Sequence, residues 1–341
     1  MSNISTTTID ASARTSPAAP GQGMGLFLAI GCIVAILGFA LPFMGLPKNL
    51  LSLLTSASIS AILATAVGFL VRQAGLSSFG HAAFYGGAAY AIALLVKYTS
   101  LPSEAIILAA PLLIAALAGA VSLILLRTNG IAFSMLSLAM AQAVYELVMK
   151  WRDLANGEDG LRIRFAREIF GLKLSFFQKA DTMFLVTWTA LVIVVIVLVL
   201  VSRSNFGTLT IAIKNNEERA RFLGYRTFWP RVVVLALSAF VAAVGGTLFA
   251  LYNGYVTPSL LHWTLSGEAL IIAIIGGTRA VWAPAVGAFL FVILRDVAGN
   301  YTTHWQSIVG LVLIAVVLTL PNGIGGALTA FVNRLGGRQN G

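Results

Sequence analysis

Residues 203–231 read RSNFGTLTIAIKNNEERARFLGYRTFWPR, and the chain on either side of them is apolar. Residues 183–201 are almost wholly Leu, Val, Ile, Thr and Trp, and residues 232–252 are nearly as apolar. Each run is long enough to cross the hydrocarbon core of a bilayer. Between them stand six basic and two acidic residues. A charged segment strapped between two spans cannot lie in lipid, and its surplus of Lys and Arg places it on the cytoplasmic side. Its middle reads as a short helix, with Ser204 or Asn205 as the cap, Glu217 and Glu218 beside Arg219 and Arg221, and Gly224 as the residue past the end. The plain reading is a solvated connecting loop; the sharper one is a docking helix for a cytoplasmic partner.

Working outward, 58% of the 341 residues are hydrophobic and 10% are charged, which excludes an ordinary soluble domain. Apolar runs of about 20 residues recur, so the expected fold is all-α, a polytopic membrane protein of about ten transmembrane helices. The runs cover residues 24–45, 50–71, 79–97, 104–126 with Pro111 as a kink, 130–149, 183–201, 232–252, 261–277, 281–297 and 303–320. The eighth contains His262, Trp263 and Glu268 and reads alternatively as a half-helix or re-entrant segment. Residues 1–23, rich in Ser, Thr, Ala and Pro, read as a disordered cytoplasmic tail, and residues 324–341 as a second cytoplasmic tail. Residues 24–323 then form the permeating domain. The net charge of +10 is scattered over span ends, which fits orientation in a membrane and gives no reason to expect nucleic acid. Arg72, Arg127 and Arg279 fall in short turns on the side of the 203–231 segment, and Lys48, Lys97, Arg295 and the polar loop 150–182 on the other. An even number of spans puts both termini in the cytoplasm. The one cysteine, Cys32, lies in the first run and implies neither a disulfide framework nor a metal cluster.

Polar features inside the spans are few. The third run opens with GLSSFGHAAFYGGAAY, residues 75–90. Gly75, Ser77, Ser78 and Gly80 make a poor helix start, and a broken helix in a membrane protein usually lines a cavity. Ser77, Ser78 and His81 are therefore candidates for a translocation pathway; the plainer role for His81 is a hydrogen bond to a neighbouring helix. Ala83, Gly87 and Ala91 repeat at spacing four, as do Ala82 and Gly86, a pattern that lets another helix approach. Glu146 lies four residues before Lys150, an ordinary helix-end pair. Glu268, with no basic residue near it in sequence, is the stronger pathway candidate. The chain has no GxxxxGK[ST], HExxH, GxSxG or Cys/His cluster, so it is expected to do no chemistry itself and to carry no metal.

Two stretches together resemble a known family. GLSSFGHAAFYGGAAY is similar to the GLLSLGHAAFFGIGAY pattern of the branched-chain amino-acid permease family of ABC importers, and AIKNNEERARFLGY to that family's cytoplasmic coupling segment. LSLAMAQAVYELVMKWRDLANGEDGL (136–161) and GEALIIAIIGGTRAVWAPAVGA (267–288) agree in order and spacing, and the long loop before the sixth span is closer to the LivM-type subunit. The pattern usually has Leu-Ser-Leu or Leu-Asn-Leu where this chain has Ser77-Ser78-Phe79. The resemblance implies a permease subunit of the bacterial inner membrane, paired with a second homologous permease. It also implies two cytoplasmic ATPases, which bind the ATP, and an external solute-binding protein. Coupling would rest on Lys214, Asn215, Asn216, Glu217, Glu218, Arg219, Ala220, Arg221, Leu223 and Gly224, with Ala220, Phe222 and Leu223 filling the ATPase groove. The alternative from another class is a transporter driven by an ion gradient, which would need Glu268 as its carboxylate.

Overall fold

Two helices, α2 (Lys48–Ala74) and α9 (Phe228–Asn253), form the centre of the bundle and are the most buried of its long helices. Ala57, Ala61, Ala64 and Ala66 of the first and Ala239, Ala242 and Ala243 of the second are fully buried, small residues that let neighbouring backbones approach. The computed structural model describes residues 31, 33–320 and 322–337. The expected N-terminal tail, the start of the first span (24–30), Cys32 and Pro321 lie outside the described residues.

Around the central pair stand α1 (Ile33–Met44), α3 (His81–Tyr98), α4 (Ser103–Leu125), α5 (Gly130–Lys150) and α6 (Ala180–Arg203). The charged segment forms α7 (Asn205–Asn215) and α8 (Glu217–Phe222), and after α9 come α10 (Trp263–Gly276), α11 (Ala283–Tyr301), α12 (Trp305–Thr319) and α13 (Gly323–Gly337). Each run read as a span coincides with a helix, the first only over its described part. Among the described residues, six helices are long and apolar enough to cross a membrane. With 14 residues, α10 rises about 21 Å, short of the roughly 30 Å hydrocarbon core. Helix α4 continues through Pro111. The segment read as a C-terminal tail is instead largely helical: α13 folds back on α10 and α11, where Gly323 and Gly325 sit against the backbone of residues 276–277 and Ala283.

The short basic turns gather at one end of the bundle. Lys214 donates to the carbonyls of Val71 and Arg72, Arg72 donates to the carbonyl of Arg279, and Arg231 donates to Asn129 beside Arg127. The loop at the opposite end is folded. Leu161 and Arg162 pair antiparallel with Val256 and Tyr255, and Glu168 and Ile169 pair with Lys173 and Leu172. Ser103 accepts from the Ala166 amide and Glu104 from the Phe170 amide, pinning the loop to the start of α4.

Candidate functional site

The chain breaks after α2. Gly75, at φ +69°, ends the helix in the left-handed region that glycine adopts without strain, and residues 76–80 run without helical bonds. Their polar groups are met by serines on other helices. The Phe79 amide donates to Ser137 Oγ at 3.1 Å, Ser134 Oγ donates to the Ser77 carbonyl at 2.6 Å, and the Ala82 amide donates to Ser266 Oγ at 2.7 Å. Ser78 Oγ accepts from the Gly80 amide at 3.1 Å and is itself buried. Non-helical backbone at membrane depth survives only when such partners are supplied.

The depth follows from His81, which opens α3. Ser238 Oγ donates its proton to the Ala66 carbonyl at 2.7 Å, so it accepts from His81 Nε2, 2.8 Å away. The imidazole therefore carries its proton on Nε2, and its buried Nδ1 has no partner. Ala66 lies about 12 Å from the end of α2 and Ser238 about 15 Å from the start of α9, so α3 begins near the middle of the membrane. His81 is fully buried and ties three helices together, which is the plainer of its two expected roles.

A second break faces the first. Helix α9 ends at Gly254, residues 255–256 pair with the folded loop, and a 3-10 turn over Pro258–Leu261 runs down beside α3. A Cβ on Gly86 would lie 2.7 Å from the Leu260 carbonyl oxygen, so the turn needs glycine there. His262 then caps α10, its Nδ1 accepting from the Thr264 amide. The rings of Phe79 and Trp263 stand 6.5 Å apart, bringing the two broken segments together. Of the small-residue stripes, Ala82 and Gly86 carry the close approach. Gly87, whose added Cβ would meet only Ile114 at 3.4 Å, and Ala91 are half-buried, and Ala83 is buried.

Glu268 is not isolated. Arg295 Nη1 donates to Glu268 Oε1 at 2.9 Å. Arg295 lies within α11, which runs to Tyr301, four residues past the expected end of its span. The hairpin of α10 and α11 sets the register: Gly287 packs on the backbone of Ile272 and Gly276, which brings the two charges level. Glu146 accepts from Gln142 at 3.1 Å and pairs with Lys150 at 3.8 Å, the expected helix-end arrangement.

At the basic end, the single helix expected over the charged segment is two. Ser204 accepts from the Gly207 amide and starts α7; Asn216 accepts from the Arg219 amide at 2.8 Å and starts α8. Lys214 is engaged with the last carbonyls of α2, and burial there, then the nearby Arg72, lower its pKa. Glu217 is an internal hub. It accepts from Arg221 at 2.6 Å, Thr227 at 2.9 Å and Arg231 at 3.3 Å. Burial pushes its carboxyl up, but the bonds from Arg221 and Thr227 and the charge of Arg231 outweigh that and hold the pKa below the usual carboxylate range. Ala220 is buried; Asn215, Glu218, Arg219 and Arg221 are exposed, and Gly224 turns the chain at φ +85°. Phe222 is 91% exposed and Leu223 72%, with Tyr225 and Trp229 exposed beside them. Sequence reasoning missed Ser134, Ser137, Ser238 and Ser266, and also Thr227 and Arg231. Small polar residues inside otherwise apolar spans were the available signal for the serines.

Comparison with known proteins gives the following. The family described as "Branched-chain amino acid transport system / permease component" matches residues 49–318. The high-affinity branched-chain amino acid transport system permease protein LivM of Escherichia coli K12 is 25% identical over 319 residues, covering 88% of this chain and 74% of its own. LivM of Salmonella typhimurium matches with the same figures. The autoinducer 2 import system permease protein LsrC of Escherichia coli O9:H4 is 27% identical over 142 residues, 39% of this chain and 41% of its own. No solved structure matches.

Proposed function

We propose, from the premise that the chain belongs to the branched-chain amino acid transport system / permease component family, that it forms the translocation pathway of an ATP-driven importer for branched-chain amino acids or a related small solute. The chain is a permease subunit of an ABC importer, which sets the ion-gradient alternative aside. It lines the path together with a second homologous permease. Two cytoplasmic ATPases hydrolyse the ATP, and an external binding protein delivers the solute. The basic end, both termini and α7–α8 face the cytoplasm, and the folded loop 150–182 faces outward; the charge bias of the short turns supports this orientation. Ser77 and Glu268, both half-buried at the mid-membrane break, lie nearer the path than the buried Ser78 and His81.

The observation that carries the coupling is the pair Phe222 and Leu223. They are the exposed apolar residues at the tip of a segment whose other key groups, Lys214 and Glu217, are held by internal bonds. An aromatic and an aliphatic side chain presented on a rigid support suit insertion into a partner's groove. The Phe222→Asp, Leu223→Asp double variant tests it. The permease should keep its melting temperature, since both side chains are free of internal packing. The ATPases should no longer co-purify, and ATP-driven uptake should fall at least tenfold. Normal uptake with the ATPases still bound would reduce α7–α8 to a connecting loop.

A further inference from the structure

The Glu268–Arg295 pair carries more than the path needs for shape. Glu268 sits about 12 Å from the end of α10 and Arg295 about 18 Å from the start of α11, so the pair is at mid-membrane depth. Charges at that depth are costly, and those found there face a bundle interior or a water-filled cavity. Yet neither side chain is enclosed: Arg295 is 38% and Glu268 26% exposed. One bond joins them. Glu268 Oε2 and the remaining guanidinium N–H groups make no other hydrogen bond among the described residues, and none of these atoms is buried without a partner. The pair thus presents an unused acceptor and unused donors side by side, next to the two chain breaks. Ile271, one turn along α10 from Glu268 and half-buried, adds apolar surface.

We propose that this pair is a recognition point for zwitterionic amino acids on the path: Glu268 takes the α-ammonium, Arg295 takes the α-carboxylate, and Ile271 meets the aliphatic side chain. A zwitterion carries the complement of both charges in one small molecule, so it enters without leaving either ion unpaired. Arg295 offers a planar fork suited to a carboxylate, which a lysine would not. An uncharged solute has no such exchange to make. The inference rests on the importer reading and names its substrate class.

The test uses the purified transporter, with both permeases and its ATPases, in a Cys32→Ala, Ile271→Cys background. Leucine at millimolar concentration should slow alkylation of the new cysteine by N-ethylmaleimide at least fivefold. N-acetyl-leucinamide, of similar shape but uncharged, should give no protection. Glu268→Gln and Arg295→Gln should each abolish protection by leucine. Absence of protection by leucine, equal protection by the uncharged analogue, or protection that survives both neutralised variants overturns the proposal. If a neutralised variant does not assemble, the comparison of leucine with N-acetyl-leucinamide on the parent protein still decides. ATP-driven leucine uptake in proteoliposomes is measured separately. Its absence beside intact protection would refute the importer reading and leave the pair standing.

Discussion

Glu217 and Glu218 are neighbours in sequence and should behave oppositely when neutralised. Glu217 is about a quarter exposed and receives three donors, one of them Arg231, whose side chain is 9% exposed. Glu217→Gln leaves that guanidinium facing an amide, with only Asn129 as its remaining partner. Removing one member of a buried ion pair costs about 3–5 kcal/mol when water cannot reach the other. Here water reaches Glu217 and Arg221, so a cost of about 2–3 kcal/mol is expected, or roughly 30- to 150-fold in the opening of the 216–231 turn. Glu218 is exposed and has no partner among the described residues, so Glu218→Gln should change stability by less than about 0.5 kcal/mol.

Limited trypsin digestion of the detergent-purified transporter reads this directly, because Arg219, Arg221 and Arg226 lie in the turn. Cleavage of the Glu217→Gln protein should be at least tenfold faster than that of Glu218→Gln, which should match the parent. Equal cleavage of the two variants would mean that the three bonds to Glu217 hold nothing in place. The same geometry fixes a pH dependence. The folded-state pKa of Glu217 lies below its ordinary value of 4.5. Its contribution is therefore complete above pH 4.5 and is lost as the pH falls below that, through the lowered value. Protection of the turn should be flat from neutral pH to about 5 and fail only in stronger acid.

Two further outcomes separate structural readings. Gly86→Leu should prevent assembly of intact transporter, because the Leu260 carbonyl occupies the space, while Gly87→Leu should be recovered at near-parent yield; similar yields on size-exclusion chromatography would remove the distinction. In sealed cells, a cysteine at the exposed Glu158 should react with an impermeant maleimide and one at Asn216 should not; the reverse pattern would invert the proposed topology.

The spans were legible because a bilayer sets their length, and a run of about 20 apolar residues has few other uses. The break at residues 75–80 was legible from Gly75 and Gly80 around a serine pair. The second break was visible only as an alternative, since PSLLHW over 258–263 is apolar enough to extend a span. Asn216 was readable as the cap of a second helix, standing before two glutamates, but the surrounding charges favoured a single helix. The partner of Glu268 was not readable. Arg295 is 27 residues away on another helix, and only the close packing of Gly287 on α10 brings the two level. Spacing four also identified two small-residue stripes on α3 without saying which would meet a neighbour; Leu260 and the Tyr85–Gly246 contact decide that.

If α8 is where the ATPases push, the path by which a push reaches the membrane interior is short. Lys214, near the end of α7, holds the last carbonyls of α2, and its methylenes lie against Gly75, where the helix stops. From Gly75, residues 76–80 lead to His81 at mid-membrane, and those residues are bonded to Ser134 and Ser137 of α5 and, through Ala82, to Ser266 of α10. A continuous helix would resist displacement over its whole length, because every backbone bond is internal to it. Here the bonds run to hydroxyls on two other helices, which can exchange partners without unwinding a turn. Displacement of α7 as a rigid body would therefore be taken up at residues 75–80. Ser266 lies less than a turn from Glu268, so the same serine bond that holds the break joins it to the helix carrying the ion pair.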